Sequence, residues 1–314
     1  QRQRLLTYSE PQGEFDLRCA LADYVRERRN VVTAPEHIVV GAGVQMLLEI
    51  LCVLLKGRRT VSFPDGSFVQ GSTVFAAHGY TVRTRYKDAD IIYVSPSHMN
   101  RQGDVMPIQR RLELCAHSAD TGAVVIEDDF ENDFLYSSTP TPSLYALGSG
   151  NVVYMGAFSA LLLPGIRISF MVLSPALAAA YHQMKDTFAQ TASKTEQIAL
   201  CAYLRDGNMK SRTKKIRRLY TGKAKTLCAL LAKALPDHPV RVGENGLQVQ
   251  IETPMLPDSS PFEQAGLALY IVKEKSGKNI VVVSPSAVPA DRLEEAAHAV
   301  AAALYKAEEA AKAK

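Results

Sequence analysis

Three stretches of the chain hold residues whose types and spacing suit chemistry. Gly41-Ala42-Gly43-Val44-Gln45 follows a strand-like run and opens a helix-like one, where unbonded backbone N–H groups and the helix dipole favour a phosphate. It is half of a G-x-G-x-x-G pattern, with Met46 in place of the third glycine, so it does not specify a dinucleotide site and also suits a plain turn. Ile126-Glu127-Asp128-Asp129-Phe130 sets three acids at the carboxyl end of an apolar strand run, the edge at which open α/β sheets bind ligands. Adjacent carboxylates can hold a divalent cation, but no His or further acid follows at ligand spacing. No metal site is therefore expected, and capping of the next loop is the alternative use. Between Gly156 and Phe170, a hydroxyl at Ser159 and a guanidinium at Arg167 can together grip a phosphate.

The elements that must position these groups follow from periodicity. From residue 34 to about 173, short β-rich runs alternate with helical-period segments, the pattern of a parallel sheet covered by helices. Strands are expected at His37–Val40, Thr60–Phe63, Thr81–Arg85, Ile91–Val94, Ala123–Ile126, Val152–Met155 and Ile166–Val172, most of them continuously apolar, as when both sheet faces are buried. Val44, Leu47, Leu48, Leu51 and Leu55 form one helix face between the first two. After Pro175, helical stretches near 176–205 and 208–235 lead to short strands near Leu247–Ile251, Leu267–Val272 and Asn279–Val283. A last helix starts near Ala290, with a core stripe of Leu293, Ala297, Val300 and Leu304 and a fraying Ala/Glu/Lys-rich end. The expected division is an N-terminal segment (1–33) packing with the small domain, a large α/β domain (34–175), and an interdomain helix with a smaller α+β domain (176–314).

A chain of 314 residues suffices for two lobes around a substantial core. Its 47% hydrophobic and 22% charged residues are those of a globular protein, not of a disordered one. The net charge of +4 suits a small anion and is too slight to argue for nucleic acid. Eight Lys and Arg residues lie between Lys210 and Lys225, with Ile216, Leu219 and Leu227 on the other side at helical spacing; they read as a solvated helix face. Five singly placed cysteines fit a reducing cytoplasm rather than a disulfide framework or a zinc ribbon. No apolar run approaches the ~18 residues of a membrane span. Gln1-Arg2-Gln3-Arg4 is polar where a signal peptide needs an apolar stretch, and a chain that starts without Met reads as a domain of a longer parent.

Several runs carry a family resemblance: Tyr8-Ser9-Glu10-Pro11-Gln12-Gly13 with Leu17-Arg18, Ser95-Pro96-Ser97-His98, Arg110-Arg111-Leu112-Glu113-Leu114, Glu127-Asp128-Asp129-Phe130, and Gly156 to Phe170. In order and spacing, over roughly residues 8–235, the chain resembles the aminotransferase-like domain of MocR/GabR-type transcriptional regulators. The resemblance implies the fold type I pyridoxal-phosphate (PLP) architecture: α/β, with a mainly parallel seven-stranded sheet in a large domain and a smaller α+β domain. It implies a homodimer, no membrane, and DNA bound only through an N-terminal winged-helix domain absent from this chain. Carried over by position, it sets Gly43, Val44 and Gln45 at the phosphate cup, Phe68 against the pyridine ring and Asn100 near the phenolic oxygen. Asp128 falls at the ring nitrogen, with Ser159 and Arg167 by the phosphate.

The departures bear on function. The resemblance puts the Schiff-base lysine directly after Ser159, where this chain has Ala160. Phe130 replaces the tyrosine at the phenolic oxygen, Ala157 a phosphate-facing hydroxyl, and Val282 the arginine that binds a substrate carboxylate. The implied function is an effector or ligand-sensing domain that does not transaminate and holds PLP weakly and non-covalently, or takes a small amino-acid-like or vitamin B6 ligand. Two other readings stay open. One is a PLP-dependent class I/II aminotransferase, either using another lysine or represented here by a lysine-to-alanine variant. The other is an interaction module with an empty pocket.

Overall fold

Seven short runs pair into one sheet; five bury nearly every residue, Ile91–Val94 buries every second one, and Thr81–Thr84 is mostly exposed. The computed structural model describes residues 3–100, 102–129, 142–148, 150–254, 259–273 and 279–312. These fall into two compact units: the first takes 3–99, 106–129, 142–148 and 150–213, and the second takes 100, 102–105 and the described residues from 214 onward.

In the first unit the chain forms α1 (Phe15–Arg29), β1 (Ile38–Gly41), α2 (Val44–Leu54), β2 (Thr60–Phe63), α3 (Val69–Ala77), β3 (Thr81–Thr84), β4 (Ile91–Val94), α4 (Ile108–Thr121), β5 (Val124–Asp128), α5 (Leu144–Leu147), β6 (Val152–Ala157), β7 (Ser169–Val172), α6 (Pro175–Met184) and α7 (Lys194–Arg205). The sheet order is β1-β7-β6-β5-β4-β2-β3. Strand β7 runs antiparallel to both β1 and β6, and the remaining pairs are parallel. The start of β7 consequently lies at the edge where the other six strands end, which brings Arg167 to the ligand-binding edge.

All seven expected strands occur. Strand β7 begins at Ser169 rather than Ile166, because a 3-10 turn over Pro164–Ile166 and a left-handed Arg167 (φ +49) redirect the chain first. Leu47, Leu48 and Leu51 of α2 are fully buried against one sheet face, packed with Val39, Phe63, Tyr93, Ile126, Met155 and Met171. Leu114, Cys115, Val125, Leu144 and Val152 form a smaller cluster on the other. The expected helix over 176–205 is interrupted at 188–193, where side chains serve β1 instead: Gln190 Nε2 donates to the Val40 carbonyl (3.1 Å) and Thr191 Oγ1 accepts from the Ala42 N–H (2.9 Å).

Residues 3–33 belong to this first unit, not to the second as expected, and so do residues 176–213. The reason lies in α1, which packs on α7, and in Gln197, whose buried carboxamide accepts from the Glu14 N–H at 2.9 Å. Helix α8 (Asn208–Ala234) begins in the first unit and continues into the second.

The second unit adds β8 (Val240–Val242), β9 (Val249–Thr253), α9 (Ser260–Gln264), β10 (Tyr270–Lys273), β11 (Asn279–Val283) and α10 (Leu293–Lys312). Its antiparallel sheet, ordered β10-β11-β9-β8, packs with Leu227 and Leu231 of α8 and with the predicted α10 stripe of Leu293, Ala297, Val300 and Leu304. The end of α10 does not fray as expected. Ala307 and Glu308 are buried, and Glu308 Oε1 accepts from His238 Nε2 (2.9 Å) and from Thr253 Oγ1. No described helix is long and apolar enough to cross a membrane.

Leu51 tests this packing. Leu51→Ala should lower the stability of the first unit by about 2–5 kcal/mol, read as a lower urea midpoint in the transition that reports it.

Candidate functional site

The pleat of β5 sends successive side chains to opposite faces, and this divides the three acids. Tyr93 on β4 is in register with Ile126, so Asp128, two residues further, shares its face. The Tyr93 hydroxyl donates to Asp128 Oδ2. Burial first, and the Asp128 charge second, push the Tyr93 phenol well above its ordinary range, which keeps Tyr93 a donor. Its ring lies 5.3 Å from that of Phe68 and 5.0 Å from that of Phe63. Phe68 caps the start of α3 and reaches this position over Gly71, where a Cβ would stand 2.2 Å from Phe68 Cε1. Phe68 and Asp128, far apart in sequence, are thus joined through Tyr93.

Glu127 and Asp129 point the other way. Asp129 is held by Arg29 at the end of α1, with Nε 2.5 Å from Oδ2 and Nη2 3.2 Å from Oδ1. Tyr154 Oη donates to Oδ2 (2.7 Å) and Ser97 Oγ to Oδ1 (2.8 Å). Burial works against the Arg29 charge, but Asp129, Tyr154 and Glu127 outweigh it and raise the guanidinium further. Glu127 does what the capping alternative expected: it accepts from the Leu144 and Tyr145 N–H groups at 2.9 and 3.0 Å, at the start of α5. Burial, then the neighbouring Asp129, push its carboxyl up to about 7.

At the same sheet edge, Gly41 of β1, Ser169 of β7 and Ala157 of β6 share one row of the ladder. Beyond it, Gly43 takes φ +98, its N–H bonds the Gly41 carbonyl (2.9 Å), and α2 begins at Val44. A Cβ on Gly43 would stand 2.4 Å from Arg167 Nη2, so the guanidinium rests directly on the glycine. Arg167 is exposed, as is Gln45, while Val44 is half-buried. An exposed guanidinium beside the free N–H groups of a helix start is a donor set suited to a phosphate.

Ser159 and Ala160 occupy the loop between β6 and β7. Phe158 anchors it, buried against Tyr24 (5.6 Å) and Phe170 (5.7 Å), and Arg212 bonds the Leu161 and Leu162 carbonyls at 3.3 Å each. Ser159 is half-buried and Ala160 exposed. Asn100 belongs to the second unit. Its carboxamide donates to Asp104 Oδ2 (2.8 Å) and accepts from the Gln102 and Asp104 N–H groups (3.0 and 3.3 Å). Val282 is buried in β11. Phe130 lies outside the described residues.

Sequence reasoning missed Tyr93, Arg29 and Thr191. Tyr93 carried a signal, as the one polar-tipped residue of an apolar strand on the parity of Asp128. Arg29 carried none, being 100 residues from its partner.

The family profile described as "Aminotransferase class I and II" matches residues 1–289. The HTH-type transcriptional regulator YdeL of Bacillus subtilis is 30% identical over 288 residues, covering 87% of this chain and 60% of the relative. The HTH-type transcriptional regulator YhdI of the same organism is 34% identical over 258 residues, covering 77% and 55%. The chain therefore spans somewhat more than half the length of these relatives. Among solved structures, LysN of Thermus thermophilus, an α-aminoadipate aminotransferase complexed with N-(5'-phosphopyridoxyl)-L-leucine, superposes with a TM-score of 0.79 at 23% identity, covering 97% of this chain and 85% of that one. The fold is thus that of fold type I aminotransferases.

Removing one partner of a buried ion pair strands the other charge. Asp129→Ala should destabilise the first unit by about 3–5 kcal/mol, and Arg29→Met combined with Asp129→Leu should recover most of that loss in urea unfolding. Glu127 gives a pH dependence of known sign. Between about 4.5 and 7 the unfolded chain ionises Glu127 while the folded chain keeps it protonated, so its contribution is complete below 4.5 and is lost as pH rises through 7. Glu127→Gln should flatten that slope in stability measured against pH.

Proposed function

Because the chain belongs to the aminotransferase class I and II family, we propose that it is the effector half of a MocR/GabR-type transcriptional regulator, a ligand-sensing domain that does not transaminate. The observation that carries this reading is Ala160, exposed beside Ser159 on the β6–β7 loop, where the resemblance puts the lysine. The regulators named among its relatives support it.

The fold generally binds PLP, and the residues of the first unit fit that group. Gly43, Val44, Gln45, Ser159 and Arg167 would hold the phosphate, Gly43 being the position where a side chain would displace the guanidinium. Asp128 would hold a proton on the ring nitrogen, and Phe68 would lie against the ring. When bound, PLP supplies an electron sink for amino-acid chemistry. Ala160 offers no amine, so the hold is by hydrogen bonds and stacking alone. Charge-assisted hydrogen bonds contribute roughly 1.5–3 kcal/mol each and a stacked ring about 1 kcal/mol. Association costs several kcal/mol against that sum, which leaves a Kd on the order of micromolar. The working unit is a cytoplasmic homodimer, joined to DNA through a winged-helix domain outside this chain.

One observation favours a second reading, an interaction module with an empty pocket. The Phe68 ring and Asp128 Oδ2 already engage Tyr93, so the ring and one oxygen of the carboxylate are engaged without a ligand.

Titration calorimetry with PLP, together with the absorbance of Ala160→Lys with PLP, tests both. The expected outcome is reversible micromolar binding by the chain as it stands and a new long-wavelength band, trapped by borohydride, in the variant. Nanomolar binding or a borohydride-trapped lysine in the unmodified chain overturns the reading in favour of a working enzyme. Silence in both proteins leaves the interaction module.

A further inference from the structure

Helix α8 holds nine Lys or Arg residues in 27 and no Asp or Glu. The whole chain holds 36 Lys and Arg against 32 Asp and Glu, so acids outnumber bases everywhere else taken together. The slight net charge conceals one strongly basic element.

The helix sorts these residues by face. Ile216, Thr221, Ala224, Leu227 and Leu231 are buried, and at 100° per residue they define the inner side. Lys214, Lys215, Arg218, Lys225 and Lys233 are exposed on the outer side. Leu219, expected on the inner side, is 52% exposed. Other bases of the helix are used locally: Lys210 pairs with Glu27, Arg212 bonds the Leu161 and Leu162 carbonyls, and Lys223 bonds the Ser286 and Val288 carbonyls. Among the described residues no ion pair or hydrogen bond engages Lys214, Lys215 or Arg218. Ser211, Gly222 and Ala229, on the same outer side, are small and exposed, which leaves Leu219 as the one large apolar side chain exposed beside the long basic ones among the described residues.

We infer that the outer face of α8 in the second unit binds the phosphate backbone of a DNA duplex, without reading its sequence. The inference rests on the reading of this chain as part of a transcriptional regulator, and adds a DNA contact to the domain otherwise assigned to ligand sensing. Charge complementarity selects the partner. Lys214 and Lys225 are separated by about 16 Å along the helix, a length over which a duplex presents about ten negative charges. Lys214 and Arg218 are one turn apart, so they meet successive phosphates rather than competing for one. A lipid surface would require bulky apolar side chains beside the bases, and Leu219 is the one large apolar side chain that α8 exposes among the described residues.

The test is fluorescence anisotropy of a labelled 20-base-pair duplex of arbitrary sequence with the chain as it exists, across a salt series. Expected is a Kd on the order of 10 μM near physiological salt, indifferent to sequence, weakening linearly in log–log form by about 0.9 per phosphate neutralised. The variant Lys214→Glu/Lys215→Glu/Arg218→Glu should lose at least tenfold in affinity and about three from the salt slope, and Lys214→Gln/Lys215→Gln/Arg218→Gln should fall between. Circular dichroism and the PLP titration should be unchanged in both variants, which separates this proposal from the cofactor reading. Absence of binding at low salt, equal binding by the triple variant, or tighter binding to phosphatidylserine vesicles or polyglutamate than to the duplex overturns it.

Discussion

The contact between Arg29 and Asp129 is an ion pair with almost no water around it, and much of the first unit is arranged to make it affordable. A charge in such a place is costly unless opposite charge and hydrogen bonds surround it. Ser97 follows β4, Asp129 directly follows β5, Tyr154 belongs to β6, and Arg29 ends α1. Three other elements therefore converge on one carboxylate, and three neighbouring strands are tied to the N-terminal helix through it. Asp128 inherits its orientation from this arrangement. It is flanked by two acids committed to the opposite face, so it can project only toward Tyr93 and Phe68.

A second constraint is the reversal of β7. A wholly parallel sheet would collect only strand ends at its carboxyl edge. By running against its neighbours, β7 contributes its beginning as well, and a single loop then carries Ser159 from one strand and Arg167 from the next. The guanidinium closes over Gly43 because that residue has no Cβ and adopts a φ that favours glycine. The glycine of the turn and the arginine of the loop are one device, although more than 120 residues separate them in sequence.

The sequence made the sheet legible because its strands are apolar throughout and its helices carry a clear period. Leu47, Leu48 and Leu51 point inward as their spacing requires. It made the membership of Gly43, Asp128 and Arg167 in one edge legible through motif order. Where local patterning failed, long-range partners had overridden it. The tail after Leu304 looks like a solvated Ala/Glu/Lys helix, yet Glu308 finds His238 and Thr253. The interruption at 188–193 carries no breaker stronger than its neighbours and exists because Gln190 and Thr191 satisfy backbone groups of β1 and of the residue that follows it. The grouping of residues 3–33 with the first unit turns on Gln197, which has no local signature.

The loop between β6 and β7 combines firm anchorage with an exposed residue 160. It is held at both ends by strand pairing, pinned at its start by Phe158, and braced by Arg212 at Leu161 and Leu162, while residue 160 itself faces solvent. Folding is consequently indifferent to what stands there. Over generations such a site drifts under the pressure of ligand chemistry alone, so a lineage can surrender a reactive group or reacquire it in a single step while its architecture passes on unaltered.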